Sequence, residues 1–532
     1  MKKFISILLL SVIIFSSFFC IKADDFVSGD VNNNGIVDIN DCSLILEYVL
    51  NNNFLTDNEN IVDKEHFLKA AKVSSNDSEI EISALDAALV LKKALSGGVF
   101  LFPIESTTES TTETTTENTT ESTTEATTQS TTDYAEIERL EKMDKMVVQL
   151  MNDNKPSWSG VTWNVEKKGQ NKWHYANGCM IKAFFDLYEV TGKQEYYDFA
   201  KSHMDFFLND DGEIIYYSSN STSNSNYKYN PTKSTGYLLD DINSGKPLFY
   251  LYEKTGEQKY KNAIDLLETQ LENQPKTKTN VAGNFWHKYT YPNQIWLDGL
   301  YMAQPFYMEY GSKYSDSKDE CIDSYNQFMN VYNNLKDDST GLYYHGYDDE
   351  KKQDWADEKT GLSQSFWLRA IGWYAMSLVD TIEKMPSDME KEKNDLINIY
   401  KELADSMIKY QSENGMWYQV VDRPKDINNF EETSGTLAVG YSMMKASRLG
   451  YVDKSYFDYG KKAFDGVIDN YVSTNSDGKI ELRQICLVAG LGNGRDGSYE
   501  YYTTQTTISE NDAKGLGPLM FAYNEVLYSM KN

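Results

Sequence analysis

Two segments of this 532-residue chain repeat one another. NGCMIKAFFDLYEVTGKQEYYDFAK, from Asn177, and NSGKPLFYLYEKTGEQKYKNAID, from Asn243, follow one plan. Each has a glycine, an apolar helical run, Leu-Tyr-Glu, a Thr-Gly turn and a second helical run. Leu187-Tyr188-Glu189 and Leu251-Tyr252-Glu253 are 64 positions apart. Gly192 and Gly256 stand where a helix C-cap needs a left-handed residue, so each unit predicts an αα-hairpin. Further hairpins are expected to begin at Gly299, Gly372 and Gly435, with a last unpaired helix near Gly517. The first helical run, DYAEIERLEKMDKMVVQLMN, is also unpaired. A repeat of this length suits an open helical solenoid as well as a ring. A single helix left over at each end favours closure, and the predicted fold class is all-α, an (α/α)6 barrel over 134–532.

Upstream, the run ESTTESTTETTTENTTESTTEATTQSTTD cannot build an apolar core and predicts an extended linker over 104–133. The N-terminus, MKKFISILLLSVIIFSSFFCIKADD, has two lysines before a short apolar run. It predicts a secretory signal peptide over 1–23, hence an extracellular protein. No later segment is apolar enough to span a bilayer. The formal charge of −29 argues against nucleic acid or anionic membrane as partners. Cys42, Cys179, Cys321 and Cys486 are scattered, without metal-type spacing, and are expected as buried free thiols.

Between leader and linker, DVNNNGIVDIND places oxygen side chains at positions one, three, five, nine and twelve of a loop: Asp30, Asn32, Asn34, Asp38 and Asp41. Gly35 takes the sharp turn, and Ile36 supplies a backbone carbonyl. That spacing wraps ligands around Ca2+, against the plainer reading of a polar turn before a helix. The module, 26–103, resembles a dockerin, a small α-helical module of paired calcium loops that binds a cohesin domain of a cellulosome scaffold protein. SNDSEIEISALDAALVLKKAL resembles the second copy, with Ser75 and Ile80 at positions where the pattern needs aspartate and glycine.

In the large domain, YPNQIWLDGLYMAQPF sets Asp298 among Ile295, Trp296, Leu297, Leu300 and Met302. Burial there strips an ionised carboxylate of water, so a raised pKa and a neutral acid are expected. Asp298 also suits a helix N-cap, and Asp240 in LLDDINSGK also suits a plain turn. Two of the chain's five histidines, His287 and His345, lie in similar loop-to-helix stretches.

The motifs WHYANG, LDDINSGK, FWHKYTYPNQIWLDGLYM, YHGYD, WLRAIGW and VAGLGNGRDGSYEYY, in this order, resemble the unsaturated rhamnogalacturonyl hydrolases of glycoside hydrolase family 105, which are related to the unsaturated glucuronyl hydrolases of family 88. The resemblance runs from about Trp158 to Asn532. It implies an (α/α)6 barrel and no cofactor for catalysis. It also implies hydrolysis of a 4,5-unsaturated galacturonyl residue from the non-reducing end of pectic oligosaccharides left by a lyase. A carboxyl protonates C4 of the vinyl ether, water adds at C5, and the hemiketal collapses to release the next sugar. Carried onto this chain, Asp298 is the general acid/base and Asp240 the second catalytic aspartate. Substrate contacts fall to Trp173, Tyr175, Asn243, His287, Lys288, Trp296, His345, Trp367, Arg369 and Trp373. The Arg369 fork is the expected partner of the uronate carboxylate. An unsaturated glucuronyl hydrolase and an inactive sugar-binding module are the alternatives.

Overall fold

The computed structural model describes residues 122–217, 226–232 and 237–531, together with Leu44. The signal peptide and the calcium-loop ligands Asp30, Asn32, Asn34, Ile36, Asp38 and Asp41 lie outside the described residues. Two compact units divide between Tyr134 and Ala135. Helix α1 spans Ser122–Asp153. It begins inside the Thr-rich run, where an extended linker was expected. That part of the run contains neither Pro nor Gly. Extending a formed helix also costs far less than nucleating one, so the backbone continues the helix of the following segment.

The second unit is built from helices α2 (Tyr175–Thr191), α3 (Gln194–Asp205), α4 (Leu239–Asn243), α5 (Lys246–Thr255), α6 (Gln258–Asn273), α7 (Leu297–Tyr314), α8 (Asp319–Leu335), α9 (Leu368–Lys384), α10 (Glu390–Ile408), α11 (Thr433–Arg448), α12 (Ser455–Tyr471) and α13 (Ala513–Ser529). Four two-stranded antiparallel ribbons accompany them. The second of these pairs Gln294–Trp296 with Gly346–Asp348. The predicted C-caps form: Gly192 and Gly256 adopt φ 72° and 69°, and their amides close onto the carbonyls of Tyr188 and Tyr252.

Packing closes the ring. Helix α2 touches α13, α13 touches α11, then α9, α7 and the α4–α5 pair follow, and that pair returns to α2. Helices α3, α6, α8, α10 and α12 each pack outside the inner helix that precedes them. Helix α1 takes the sixth outer place, with Asp144 accepting from the Tyr523 hydroxyl of α13 at 2.7 Å. This is the closed (α/α)6 arrangement, and the leftover terminal helices pair as their position required. The inner faces are apolar and buried along their length. Trp373, Tyr374, Met376 and Leu378 of α9 are examples.

All inner helices run in one direction, so their N-termini meet at one end of the ring. The other end holds a cavity of about 340 Å³ lined by the C-terminal halves of the same helices. Several of its charges are paired with one another, while Lys246 donates to the Tyr301 carbonyl at 2.6 Å. Lys445 Nζ lies 2.7 Å from Asp380 and 2.8 Å from Glu383, and Arg448 is held by Glu525 at 2.6 Å. Cys179, Cys321 and Cys486 are buried free thiols. Among the described residues no helix is long and apolar enough to cross a membrane, and no group of His, Cys, Asp and Glu side chains could hold a metal ion.

Candidate active site

Chemistry-bearing side chains cluster at the N-terminal end of the inner helices. Asp240 is the second residue of α4, Asp298 the second of α7 and Arg369 the second of α9. Tyr175 is the first residue of α2. Unpaired backbone amides at helix starts favour negative charge, so this end suits carboxylates of the protein and of a ligand.

Each segment before a helix is extended, and two ribbons tie the segments together. Leu238 bridges Lys288, which sets Asp240 beside His287. The Leu297 amide donates to the His345 carbonyl at 3.1 Å, which sets Asp298 beside His345. His345 Nε2 then lies 3.1 Å from Asp298 Oδ2. Neither atom makes a hydrogen bond elsewhere among the described residues. His345 Nδ1 lies 2.6 Å from the Tyr502 hydroxyl. His287 Nε2 lies 3.9 Å from Asp240 Oδ1. Trp296 joins the two halves: its ring stacks on His287 at 4.8 Å and meets His345 edge-on at 5.2 Å. Gly299 leaves room for this packing, since a Cβ there would stand 3.1 Å from Leu239 Cδ1 and 3.2 Å from His287 Nδ1.

The electrostatics correct the sequence reading at Asp298. Burial raises its pKa, as expected, but attraction from His345, His287 and Arg369 outweighs burial and holds the carboxyl below its usual value. The sequence showed Trp296 and Leu297 beside the acid but not the imidazole, which is 47 residues away in the chain. Asp240 is the acid with the raised value. Burial, with the charges of Asp298 and Glu166, pushes it up to about 7 against the opposing pull of Lys288. Burial holds His287 down at about 4, so it is neutral at physiological pH. The two carboxyls are therefore pushed in opposite directions, Asp240 up and Asp298 down, as the members of an acid/base pair are. Asp240, rather than Asp241, is the group coupled to Asp298, whereas the charge of Asp241 acts on Tyr229.

Other expected contacts divide by exposure. Tyr175 is half-buried, edge-on to Trp373 at 6.4 Å, and electrostatically coupled to Asp240. The Lys288 ammonium lies 3.9 Å over the Tyr291 ring. Trp173, Asn243, Trp367 and Trp373 are buried and brace the site from behind instead of offering a face to a ligand. The Trp173 indole donates to the Asp241 carbonyl at 2.9 Å, and Asn243 Nδ2 to the Tyr175 carbonyl at 2.9 Å. Trp367 donates to Gln419 at 3.2 Å, and Trp373 stacks on Tyr301 at 4.9 Å. Arg369 is buried over the Trp367 ring at 4.8 Å. One of its terminal nitrogens donates to the Cys486 carbonyl and to Ser434, leaving Nε without a partner among the described residues.

Tyr502 was missed as a site residue. It sits in a π-helical turn, Tyr501–Gln505, and stacks on Trp367 at 5.6 Å. The signal was present in SYEYY, but π-turns have no sequence signature and often mark functional positions. A second missed cluster, Lys514 with Glu166 at 3.1 Å and Asp512 at 2.9 Å, tethers the start of α13 to the segment before α2.

A family model described as Glycosyl Hydrolase Family 88 matches residues 142–530. A protein of Agrobacterium fabrum is 36% identical over 234 residues, 42% of this chain and 98% of its own length. The unsaturated rhamnogalacturonyl hydrolase YesR of Bacillus subtilis is 23% identical over 315 residues, 58% of this chain and 78% of its own. Among solved structures, a family 105 glycoside hydrolase of C. acetobutylicum ATCC 824 superposes with a TM-score of 0.61 at 39% identity, over 71% of this chain and 98% of its own.

Proposed function

Because this chain belongs to glycosyl hydrolase family 88, we propose that it is an exo-acting hydrolase of 4,5-unsaturated galacturonyl residues at the non-reducing end of lyase-generated rhamnogalacturonan oligosaccharides. One observation carries the reading: two carboxyls meet at one end of a closed helical ring, Asp298 Oδ2 3.1 Å from His345 Nε2 and Asp240 Oδ1 3.9 Å from His287 Nε2, with Asp240 pushed up to about 7 by burial and Asp298 held below its usual value by His345 and Arg369. A vinyl ether needs that division. Asp240 supplies the proton that adds to C4. Asp298, steadied by His345, takes a proton from the water whose oxygen bonds to C5. The hemiketal then opens, and the bond to the next sugar breaks as that sugar leaves with its hydroxyl. Helix N-termini and the Arg369 guanidinium favour the uronate carboxylate beside these groups.

The leader and the dockerin-like module support a secreted enzyme held on a cellulosome scaffold through a cohesin, with Ca2+ in the first loop. The enzymatic reading is tested by incubating the full chain with unsaturated galacturonyl-rhamnose and unsaturated glucuronyl disaccharides and following the ultraviolet absorbance of the conjugated uronate. Loss of signal on the galacturonyl substrate is expected. Preference for the glucuronyl substrate moves the specificity, and no loss on either removes the proposal.

A further inference from the structure

Trp173, Trp296, Trp367 and Trp373 are buried, whereas Tyr237 and Tyr289 at the rim of the site are partly exposed. Tyr237 and Tyr289 flank the Leu238–Lys288 bridge. The Leu239 amide donates to the His287 carbonyl at 3.2 Å, and the Tyr289 amide to the Tyr237 carbonyl at 2.9 Å. These bonds pair Leu239 with His287 and Tyr237 with Tyr289. Opposed residues of an antiparallel ribbon share a face, as do residues two apart on one strand. Tyr237, Tyr289 and His287 are therefore on one face, and His287 is the residue 3.9 Å from Asp240.

The ribbon runs outward. His287 is 6% exposed and Tyr289 is 45% exposed. Asp240 lies one residue inside Leu239 at the start of α4, and Tyr237 lies outside it. Two residues of strand separate Tyr289 from His287 by about 6–7 Å, which is the scale of one sugar step. The two rings are 6.3 Å apart, and Tyr237 is anchored by its hydroxyl to the Thr232 carbonyl at 3.2 Å. In an exo-acting pocket the uronate enters first, so the leaving sugar must lie toward the rim.

We infer that Tyr237 and Tyr289 form the subsite for the leaving sugar, a neutral pyranose whose C–H face packs on the Tyr289 ring. The inference rests on the proposed function and adds the contact that discriminates by the second sugar. It is tested with two probes: the unsaturated galacturonyl-rhamnose disaccharide and the methyl glycoside of the same uronate, which lacks the leaving sugar. Tyr289→Ala is expected to lower the ratio of kcat/KM for the disaccharide to that for the methyl glycoside about ten-fold, and Tyr289→Phe to retain it, because the ring face makes the contact. An unchanged ratio in Tyr289→Ala overturns the subsite. A second arm needs no turnover. Disaccharide titrated into Asp298→Asn protein, followed by tryptophan fluorescence, should bind about ten-fold more weakly once Tyr289→Ala is added. Equal affinity overturns the subsite. Wild-type protein that consumes neither probe overturns the enzymatic reading instead, and the binding arm then decides the subsite by itself.

Discussion

His345 Nε2 stands 3.1 Å from Asp298 Oδ2, and the opposite ring nitrogen stands 2.6 Å from the Tyr502 hydroxyl. The imidazole helps hold below its usual value a carboxyl that burial among apolar neighbours alone would raise.

Replacing Asp298 with Asn keeps the shape of the side chain and removes the base. The rate on unsaturated galacturonyl-rhamnose should fall by at least about 100-fold, with far-ultraviolet circular dichroism unchanged. A variant with full rate places the base elsewhere.

The pH profile should be bell-shaped. Asp240 is raised to about 7, so its acid form is present below that pH and is lost above it. Asp298 is lowered, so its ionised form persists below the ordinary aspartate value of about 3.9. The alkaline limb of kcat/KM should fall near pH 7, and the acid limb should lie below pH 4. In Asp240→Asn the residual rate should lack the alkaline limb.

The Tyr502 hydroxyl lies 2.6 Å from His345 Nδ1, on the side of the ring away from Asp298, where it would position the imidazole. Tyr502→Phe removes only the hydroxyl and should cut kcat about ten-fold while KM changes little. A structural role alone would lower Tm and leave the pH profile where it was. A positioning role shifts the acid limb, because His345 no longer holds Asp298 in one orientation.

Far from the site, Asp380 accepts from Lys445 at 2.7 Å and from the Tyr441 hydroxyl at 2.8 Å. Asp380→Ala leaves a buried ammonium with a weaker set of partners and should cost about 2–4 kcal/mol in urea unfolding. Burial raises the Asp380 pKa, but Lys445, Lys182 and Lys246 outweigh it and hold it low in the folded state. Its contribution is therefore full above the unfolded value and is lost as pH falls. The gap between wild type and variant should narrow below about pH 4.

The scaffold proposal has its own measurement. Binding of the full chain to a cohesin should require Ca2+ and disappear in Asp30→Ala with Asp41→Ala. Binding that survives chelation rejects the calcium loop.

The repeat of Leu-Tyr-Glu at 64 residues, with Gly192 and Gly256 behind it, was enough to predict hairpins, because helix periodicity and C-cap geometry are local properties; their closure was read from the unpaired helix at each end. Asp240, Asp298, His287, His345 and Arg369 took their roles from the family resemblance, on motifs that the structure brings together. Each lies in or beside a short loop-to-helix stretch, and every such stretch ends at the same side of the ring. Protonation was not legible. It depends on which charge lies within a few ångströms, and only the closed ring brings His345 to Asp298 across 47 residues and Tyr502 to His345 across 157. The tryptophans taught the same lesson. The family resemblance marked them as substrate contacts, but exposure is decided by packing, which buried Trp173, Trp367 and Trp373 and left Tyr289 at the rim.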